Sequence, residues 1–387
     1  MMSYVAAFTG NIITFIAATS QSWTSPVLVK LEDAHKTPFD SPLSSEEASW
    51  ISALLPFGAI FGPFIYGFLA ELIGRKLTLL TCAVPFLFSY LLLAFAKVPW
   101  IYYVARFIAG TSLGGVFTVI PIYVGEIAED SNRAPESPQY YVNKHRYEQA
   151  KTTLQKIRRG GDQVVENELS DMQVKVGEER GSFLDMFKQR GSVRAFFMAI
   201  TLITFQQFSG ASLEPELCSI IIGCTQFTAS FLSPLIIERL GRKPLLLISL
   251  VGVIVSQVPL GAYAYLKEHH RDVSGISFLP IICLVGYIIA YNTGIGPIPW
   301  AMLGELFPAN IRSIASSTVT AFCWFLSFLI TKYFKSISNS IGMSASFLIF
   351  AGCCVVAVPY CYYYVIETKA KSLKEIQEIL NGQNWKS

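Results

Sequence analysis

Long charge-free stretches recur along this chain. Positions 1–29, 48–70, 244–266, 313–331 and 336–366 hold no Asp, Glu, Lys or Arg. Each has the length needed to cross a hydrocarbon core of roughly 30 Å. A soluble core accounts for one such run, not for five. Apolar windows predict membrane-spanning helices at 4–22, 50–70, 77–96, 101–124, 195–213, 217–237, 244–266, 278–302, 313–331 and 345–366, four before a polar stretch and six after it. The first lacks the basic leader of a secretory signal and is followed by further spans, so it reads as a retained helix.

Between 129 and 194 the pattern turns polar, yet Tyr147, Ala150, Leu154 and Ile157, then Val165, Leu169, Met172 and Val176, recur at helical spacing. Short amphipathic helices are expected there. Ser372 and Glu375 form a capping-box pattern that opens a helix through Leu380. With alternate loops on opposite sides and both termini cytoplasmic, most Lys and Arg fall on the cytoplasmic side.

Composition agrees with the pattern: the 387 residues are 52% hydrophobic and 15% charged, where soluble domains carry about a quarter charged. Mean hydropathy is +0.45. A formal charge of +3, with the basic residues in loops, argues against nucleic acid as a partner. The eight cysteines lack metal-ligand or disulfide spacing and read as small packing residues, so neither metal nor cofactor is expected. No span carries a nucleophile with a base, which argues against an enzyme.

An internal duplication is the strongest signal. Glu71, Gly74, Arg75 and Lys76 after the second span recur as Glu238, Gly241, Arg242 and Lys243 after the sixth. Glu126 and Arg133 follow the fourth span at the separation at which Glu305 and Arg312 follow the eighth. Two homologous halves are implied. The eight charged residues Glu71, Arg75, Glu126, Arg133, Glu238, Arg242, Glu305 and Arg312 are expected to form a cytoplasmic charge network that pairs across the halves and switches between two packings. After Arg312 two spans follow, and after Arg133 none, so the first half lacks two helices.

The motifs Gly67 to Lys76, Pro121-Ile-Tyr-Val-Gly-Glu126, Pro135-Glu-Ser-Pro138, Gln206-Gln-Phe-Ser-Gly210, Glu238-Arg-Leu-Gly-Arg-Lys243, Gly296-Pro-Ile-Pro-Trp300, Glu305-Leu-Phe-Pro308 with Arg312, and Glu367-Thr-Lys stand in one order over nearly the whole chain. In these it resembles the sugar porters of the major facilitator superfamily, in particular insect facilitated trehalose transporters. The resemblance implies an all-α membrane protein with a two-bundle helical fold. Its fifth and sixth helices are missing between Arg133 and Ala134, and the outer half of its seventh is missing after Gly210. The expected layout is an N-terminal bundle of helices one to four over 1–133, an amphipathic linker over 134–193, a C-terminal bundle over 194–366 and a cytoplasmic helix and tail over 367–387.

Substrate in such folds sits near the midplane beside Gly- or Pro-broken helices. Gln206 and Gln207 lie near the centre of their span, where an unsatisfied amide costs several kcal/mol. Interhelical hydrogen bonding and sugar contact both answer that need. The resemblance implies sugar contacts for Gln206, Gln207, Gln226 and Asn292, and a stacking surface at Trp300 beside Gly294, Gly296, Pro297 and Pro299. Cys323 and Ser327 fall where many relatives carry Asn. Arg106, inside a span, reads as structural.

Neutral amides with an aromatic ring suit an uncharged polyol, and the spans hold no acid, which favours facilitated diffusion over proton coupling. The sequence therefore predicts a multi-pass plasma-membrane carrier of trehalose or a hexose, working by alternating access in the lipid bilayer and impaired by its deletions. The competing reading is a non-transporting splice form or incomplete gene model that acts by pairing with intact partners. Neither the sugar nor the oligomeric state is legible.

Overall fold

The computed structural model describes residues 2–35, 37–39, 41–127, 141–142, 144, 146–157, 165–166, 169–170, 186–211, 225, 228, 237, 240–369, 371 and 373–382. The elements among them are helical: α1 (Met2–Ser22), α2 (Thr24–Glu32), α3 (Ser45–Ile73), α4 (Arg75–Phe95), α5 (Pro99–Ile127), α6 (Tyr147–Ile157), α7 (Arg190–Gln206), a π-turn (Gln207–Ala211), α8 (Arg242–Glu268), α9 (Leu279–Thr293), α10 (Ile298–Leu306), α11 (Ala309–Ile341), α12 (Met343–Tyr364) and α13 (Leu373–Asn381). Eight described segments are long and apolar enough to cross a membrane: Ile12–Glu32, Ser45–Ile73, Arg75–Phe95, Pro99–Pro121, Arg242–Glu268, Leu279–Leu306, Ile311–Ile341 and Met343–Tyr364. This is a multi-pass membrane protein.

Several spans differ from their sequence-predicted bounds. The first span, predicted at 4–22, lies within α1, and the helical course continues past it through α2, so that the apolar segment reaches Glu32. Thr24 Oγ1 donates to the Gln21 carbonyl at 3.2 Å instead of breaking the turn. The predicted span 313–331 becomes the longer α11, in which Lys332 and Lys335 continue the helix, as good helix formers do. The span 195–213 is α7 and its π-turn, with 212–213 outside the described residues. Of the span 217–237, only 225, 228 and 237 are described, and all three are helical.

The chain divides into two compact units, Met1–Gln189 with Phe307–Phe328, and Arg190–Leu306 with Leu329–Ser387. The division differs from the layout read off the repeat in placing the N-terminal portion of α11 with the first unit. There Ser317 donates to the Pro63 carbonyl at 3.3 Å and Trp324 meets Phe117 edge-on at 5.4 Å.

In the first unit α3 and α5 pack backbone against backbone. A Cβ on Gly58 would lie 2.2 Å from the Phe107 carbonyl, and on Gly62 2.3 Å from that of Thr111. On the facing helix, a Cβ on Gly110 would lie 2.1 Å from the Leu55 carbonyl, and on Gly114 2.2 Å from that of Ala59. Gly58/Gly62 and Gly110/Gly114 are both Gly-x-x-x-Gly pairs, the spacing that lets membrane helices approach closely. Arg106 on α5, 1% exposed, donates to the carbonyls of Ser20 and Ile51 and to Thr24 Oγ1, and lies 5.4 Å over the Trp23 ring. It ties the first helices to α3, the structural role its position suggested. A Ser44–Glu47 capping box opens α3.

In the linker the apolar periodicity is met at some of the described positions and not at Tyr147. Ala150 and Leu154 of α6 bury with Val142, Val165 and Leu169, while Tyr147 is exposed. Met172 and Val176 lie outside the described residues. At the far end, Ile376 and Leu380 of α13 are buried. Ser372, the predicted cap, lies outside the described residues.

In the second unit α8 pairs with α12, and each helix is capped by a carboxylate from the end of the other. Glu367, just past α12, accepts from the Arg242 and Lys243 N–H groups, both at 3.0 Å. Glu268, the last residue of α8, accepts from the Met343 and Ser344 N–H groups at 2.7 and 3.1 Å. Both capped helices start after a glycine at positive φ, Gly241 at +91° and Gly342 at +89°. Gly74 before α4 repeats the geometry at +98°, so the duplicated glycine marks a backbone turn that side chains disfavour.

Candidate functional site

The second unit brings Gln206 to a break in a membrane helix. α9 ends at Thr293 and α10 resumes at Ile298, with Gly294, Ile295, Gly296 and Pro297 between. The glycines are required there: a Cβ on Gly294 would lie 2.5 Å from the Ser249 Cβ and 2.6 Å from the Leu245 carbonyl. Backbone groups freed by such a break need partners in a membrane. Gln206 Nε2 donates to the Gly296 carbonyl at 2.7 Å. Ser249 of α8 donates to the Ala290 carbonyl at 2.6 Å and accepts from the Ile295 N–H at 2.9 Å.

One half of the Gln206 amide thus serves the backbone. Its Oε1 is buried and has no hydrogen-bond partner among the described residues. Gln257 of α8 repeats the arrangement, with Nε2 donating to the Ser209 carbonyl at 2.7 Å and Oε1 buried without a donor among the described residues. The buried Tyr287 hydroxyl lies within electrostatic reach of Ser209 but makes no hydrogen bond of good geometry among the described residues. Gln207 is buried at the start of the π-turn, whose helical course ends at Gly210, φ +89°. Asn292 donates along its own helix to the Ile288 carbonyl at 2.9 Å. Trp300 is half-buried on α10. Gln226 lies outside the described residues. Cys323 and Ser327 on α11 are buried.

The charge cluster forms within the second unit. Arg242 Nη2 meets Glu305 Oε1 at 2.7 Å, and Thr368 Oγ1 donates to the other Glu305 oxygen. The pair seen here lies inside one half, where the repeat had suggested pairing across halves. Glu367 also accepts from the Lys369 N–H at 2.8 Å. Partial burial alone would raise its pKa, but the N–H groups of Arg242, Lys369 and Lys243 and the nearby Arg242 charge outweigh that and hold it below the ordinary carboxylate range. Gln377 of α13 donates to the Leu306 carbonyl at 2.6 Å, and Arg194 to that of Leu380 at 2.9 Å. The C-terminal helix thereby joins α7 and α10 at the same end.

In the first unit Arg75 is buried, with Nη1 3.5 Å from the Ala70 carbonyl, and Glu71 is half-buried beside the turn at Gly74. Arg312 donates to the Phe307 carbonyl at 3.1 Å. Arg133, Glu238 and the Glu126 side chain lie outside the described residues. In the sequence Glu367 stands out only within a motif, and Glu268, Ser249 and Gln257 do not stand out at all. The available signal for the two acids was a carboxylate at the end of a span whose partner helix opens on glycine.

Comparison with known proteins places these features. The profile of the sugar (and other) transporter family matches residues 1–134 and 133–380, meeting where the repeat places the missing helices. The chain is 32% identical to the facilitated trehalose transporter Tret1-2 homolog of Drosophila simulans over 98% of its own length and 91% of that protein. It is 30% identical to Tret1 of Aedes aegypti over 98% of its own length, but spans about half (55%) of that longer protein. The Drosophila alignment runs over 447 positions against a chain of 387 residues, so gaps open in this chain. Among solved structures, the proton:xylose symporter XylE bound to 6-bromo-6-deoxy-D-glucose gives a TM-score of 0.78 at 19% identity, covering 98% of this chain and 100% of that one. The inward-open xylose transporter XylE from E. coli gives 0.73 at 20% identity over 98% and 99%. By motif order, family match and fold, the chain belongs to the sugar porter family of the major facilitator superfamily and lacks that fold's fifth and sixth helices and the outer half of its seventh.

Proposed function

We propose that the protein carries an uncharged sugar, trehalose or a hexose, across the plasma membrane by facilitated, alternating-access transport, and that its deletions make it a weak carrier. The observation that bears most on the ligand is the pair of buried amide oxygens on Gln206 and Gln257 beside the broken helix α9–α10. Buried acceptors without donors are costly, and a polyol supplies hydroxyl donors without bringing charge. Trp300, half-buried on the helix after the break, is the proposed stacking partner for the apolar side of a sugar. Family membership adds that insect relatives bear the name of facilitated trehalose transporters. A carrier, not a catalyst, fits this donor set. Gln206, Gln207, Gln226, Asn292 and Trp300 are the proposed substrate contacts, to which the buried Gln257 oxygen is added.

Uptake of labelled trehalose and glucose in oocytes, scaled to surface expression, tests the proposal. Saturable uptake well below that of an intact relative supports it, and Gln207→Leu abolishes what remains. No uptake of any neutral sugar at normal surface level overturns the carrier reading. That outcome favours the non-transporting form, which the missing helices recommend. Uptake equal to an intact relative overturns the impairment.

A further inference from the structure

We infer that Gln257 of α8 is a positioning residue for the proposed sugar contacts, a role that rests on the carrier reading of Gln206 and Gln207. It holds the π-turn that carries Gln207 and, through Ser209, the end of α7 that carries Gln206. Ser209 precedes Gly210, whose φ of +89° ends the helical course, and carbonyls in the last turn of a helix have no donor within it. Ser209 is fully buried. Inside a membrane an unmet carbonyl is costly. Gln257 Nε2 meets this one at 2.7 Å.

Three hydrogen bonds, each of 2.7 Å, then run from α8 to the break between α9 and α10. Gln257 Nε2 donates to the Ser209 carbonyl, Ser209 Oγ to the Gln206 carbonyl, and Gln206 Nε2 to the Gly296 carbonyl. Gln257, Ser209 and Gln206 are all buried. α8 also holds that break directly, because Ser249 bonds the Ala290 carbonyl and the Ile295 N–H on its two sides. Ser249 and Gln257 stand about 12 Å apart along α8 at about 1.5 Å per residue. One helix, tied at its ends to α12 through Glu367 and Glu268, thus sets both interruptions of backbone beside the proposed site.

The residue type separates positioning from ordinary glue. A backbone carbonyl only accepts, so the Gln257 amide must turn Nε2 toward Ser209 and cannot exchange its ends. Its Oε1 is then left buried without a donor among the described residues. As glue the exchange is poor, since one acceptor is met by stranding another. Gln206 does the same toward Gly296. An amide facing a hydroxyl or another amide could turn over; these two cannot. The turn therefore has one resting orientation, and Gln206 and Gln207 share it.

Gln257→Met keeps the reach of the side chain and removes the donor. Amide hydrogen exchange of the full chain in lipid nanodiscs should rise about tenfold at 207–211 in this variant and stay unchanged in α12. Uptake of labelled trehalose or glucose in oocytes should show KM raised about fivefold or more, with the maximum rate per surface molecule within about twofold. Ser209→Ala should raise KM in the same direction, and adding it to Gln257→Met should raise KM by no more than about twofold further. Val258→Ala, at an exposed position beside Gln257, should leave exchange and uptake unchanged. Unchanged exchange at 207–211, exchange that rises alike across the second unit, or a lower maximum rate with KM unmoved overturns the inference. Multiplied KM losses in the double variant also overturn it, because Gln257 would then act only by its own contact with sugar. A local rise in exchange in a chain that takes up no neutral sugar supports the hold on the π-turn and overturns the carrier reading, so the two failures are distinct.

Discussion

At the scale of single residues, side-chain volume decides most outcomes. Gly62 faces the Thr111 carbonyl so closely that a methyl group would sit 2.3 Å from it. Backbone cannot move aside as a side-chain tip can. Gly62→Ala should therefore destabilise the first unit by about 1–3 kcal/mol, read as a lower midpoint in thermal unfolding in detergent. Gly352, with nothing within 4 Å of its Cβ position on α12, gives the contrast. Gly352→Ala should be neutral or stabilising by up to about 1 kcal/mol, since alanine restricts the unfolded chain and favours helix. An equal loss in both variants would show that close helix approach is not what Gly62 provides. The Gly-x-x-x-Gly spacing was present in the sequence, but glycine alone does not say which helix it faces. Arg106 was more legible, because a charge inside a span must find carbonyls or an acid.

Glu367 makes a residue-scale prediction about pH. Its pKa is lowered in the folded protein, so its contribution is complete above the carboxylate's ordinary value of 4.5 and is lost as pH falls through the lower folded value. Thermal midpoints should be insensitive to this group from about pH 8 to about pH 5 and should decline in stronger acid. Glu367→Gln should lower the midpoint at neutral pH and flatten the acid limb. An acid limb identical in the variant would remove Glu367 as its source.

At the scale of elements, α8 and α12 carry reciprocal caps: Glu367 on the start of α8 and Glu268 on the start of α12. Each carboxylate meets two backbone N–H groups and the positive end of a helix dipole, worth about 0.5–2 kcal/mol apiece. Because the caps lie at opposite ends of the helix pair, Glu268→Gln and Glu367→Gln should add within about 0.5 kcal/mol in the double variant, measured by thermal unfolding. Strong coupling would mean that the two ends open as one unit. Apolar runs located the spans well, since hydrocarbon thickness sets their length, yet they misjudged the ends. Lys332 and Lys335 look like a terminus by charge, but α11 continues through them. The break at Gly294–Pro297 was legible in its glycines and prolines. Its fastening by Gln206 and Ser249 was not, because those partners lie 90 and 46 residues away in sequence.

At the scale of the molecule, the duplication did most to expose the architecture. Corresponding Glu–Gly–Arg–Lys turns and corresponding Glu–Arg pairs reveal which helices the second half has and the first lacks. The two matches of the family profile, meeting at 133 and 134, fall at that place. On the proposed reading, the missing helices are what weakens transport. Inserting between Arg133 and Ala134 the helix pair of the Bombyx mori relative, 32% identical to this chain, should therefore restore transport. Sugar uptake per surface molecule should rise severalfold toward that of the intact relative. If uptake stays flat at a normal surface level, the lesion in transport lies instead in the shortened seventh helix after Gly210, and restoring that segment in the same chain becomes the deciding measurement.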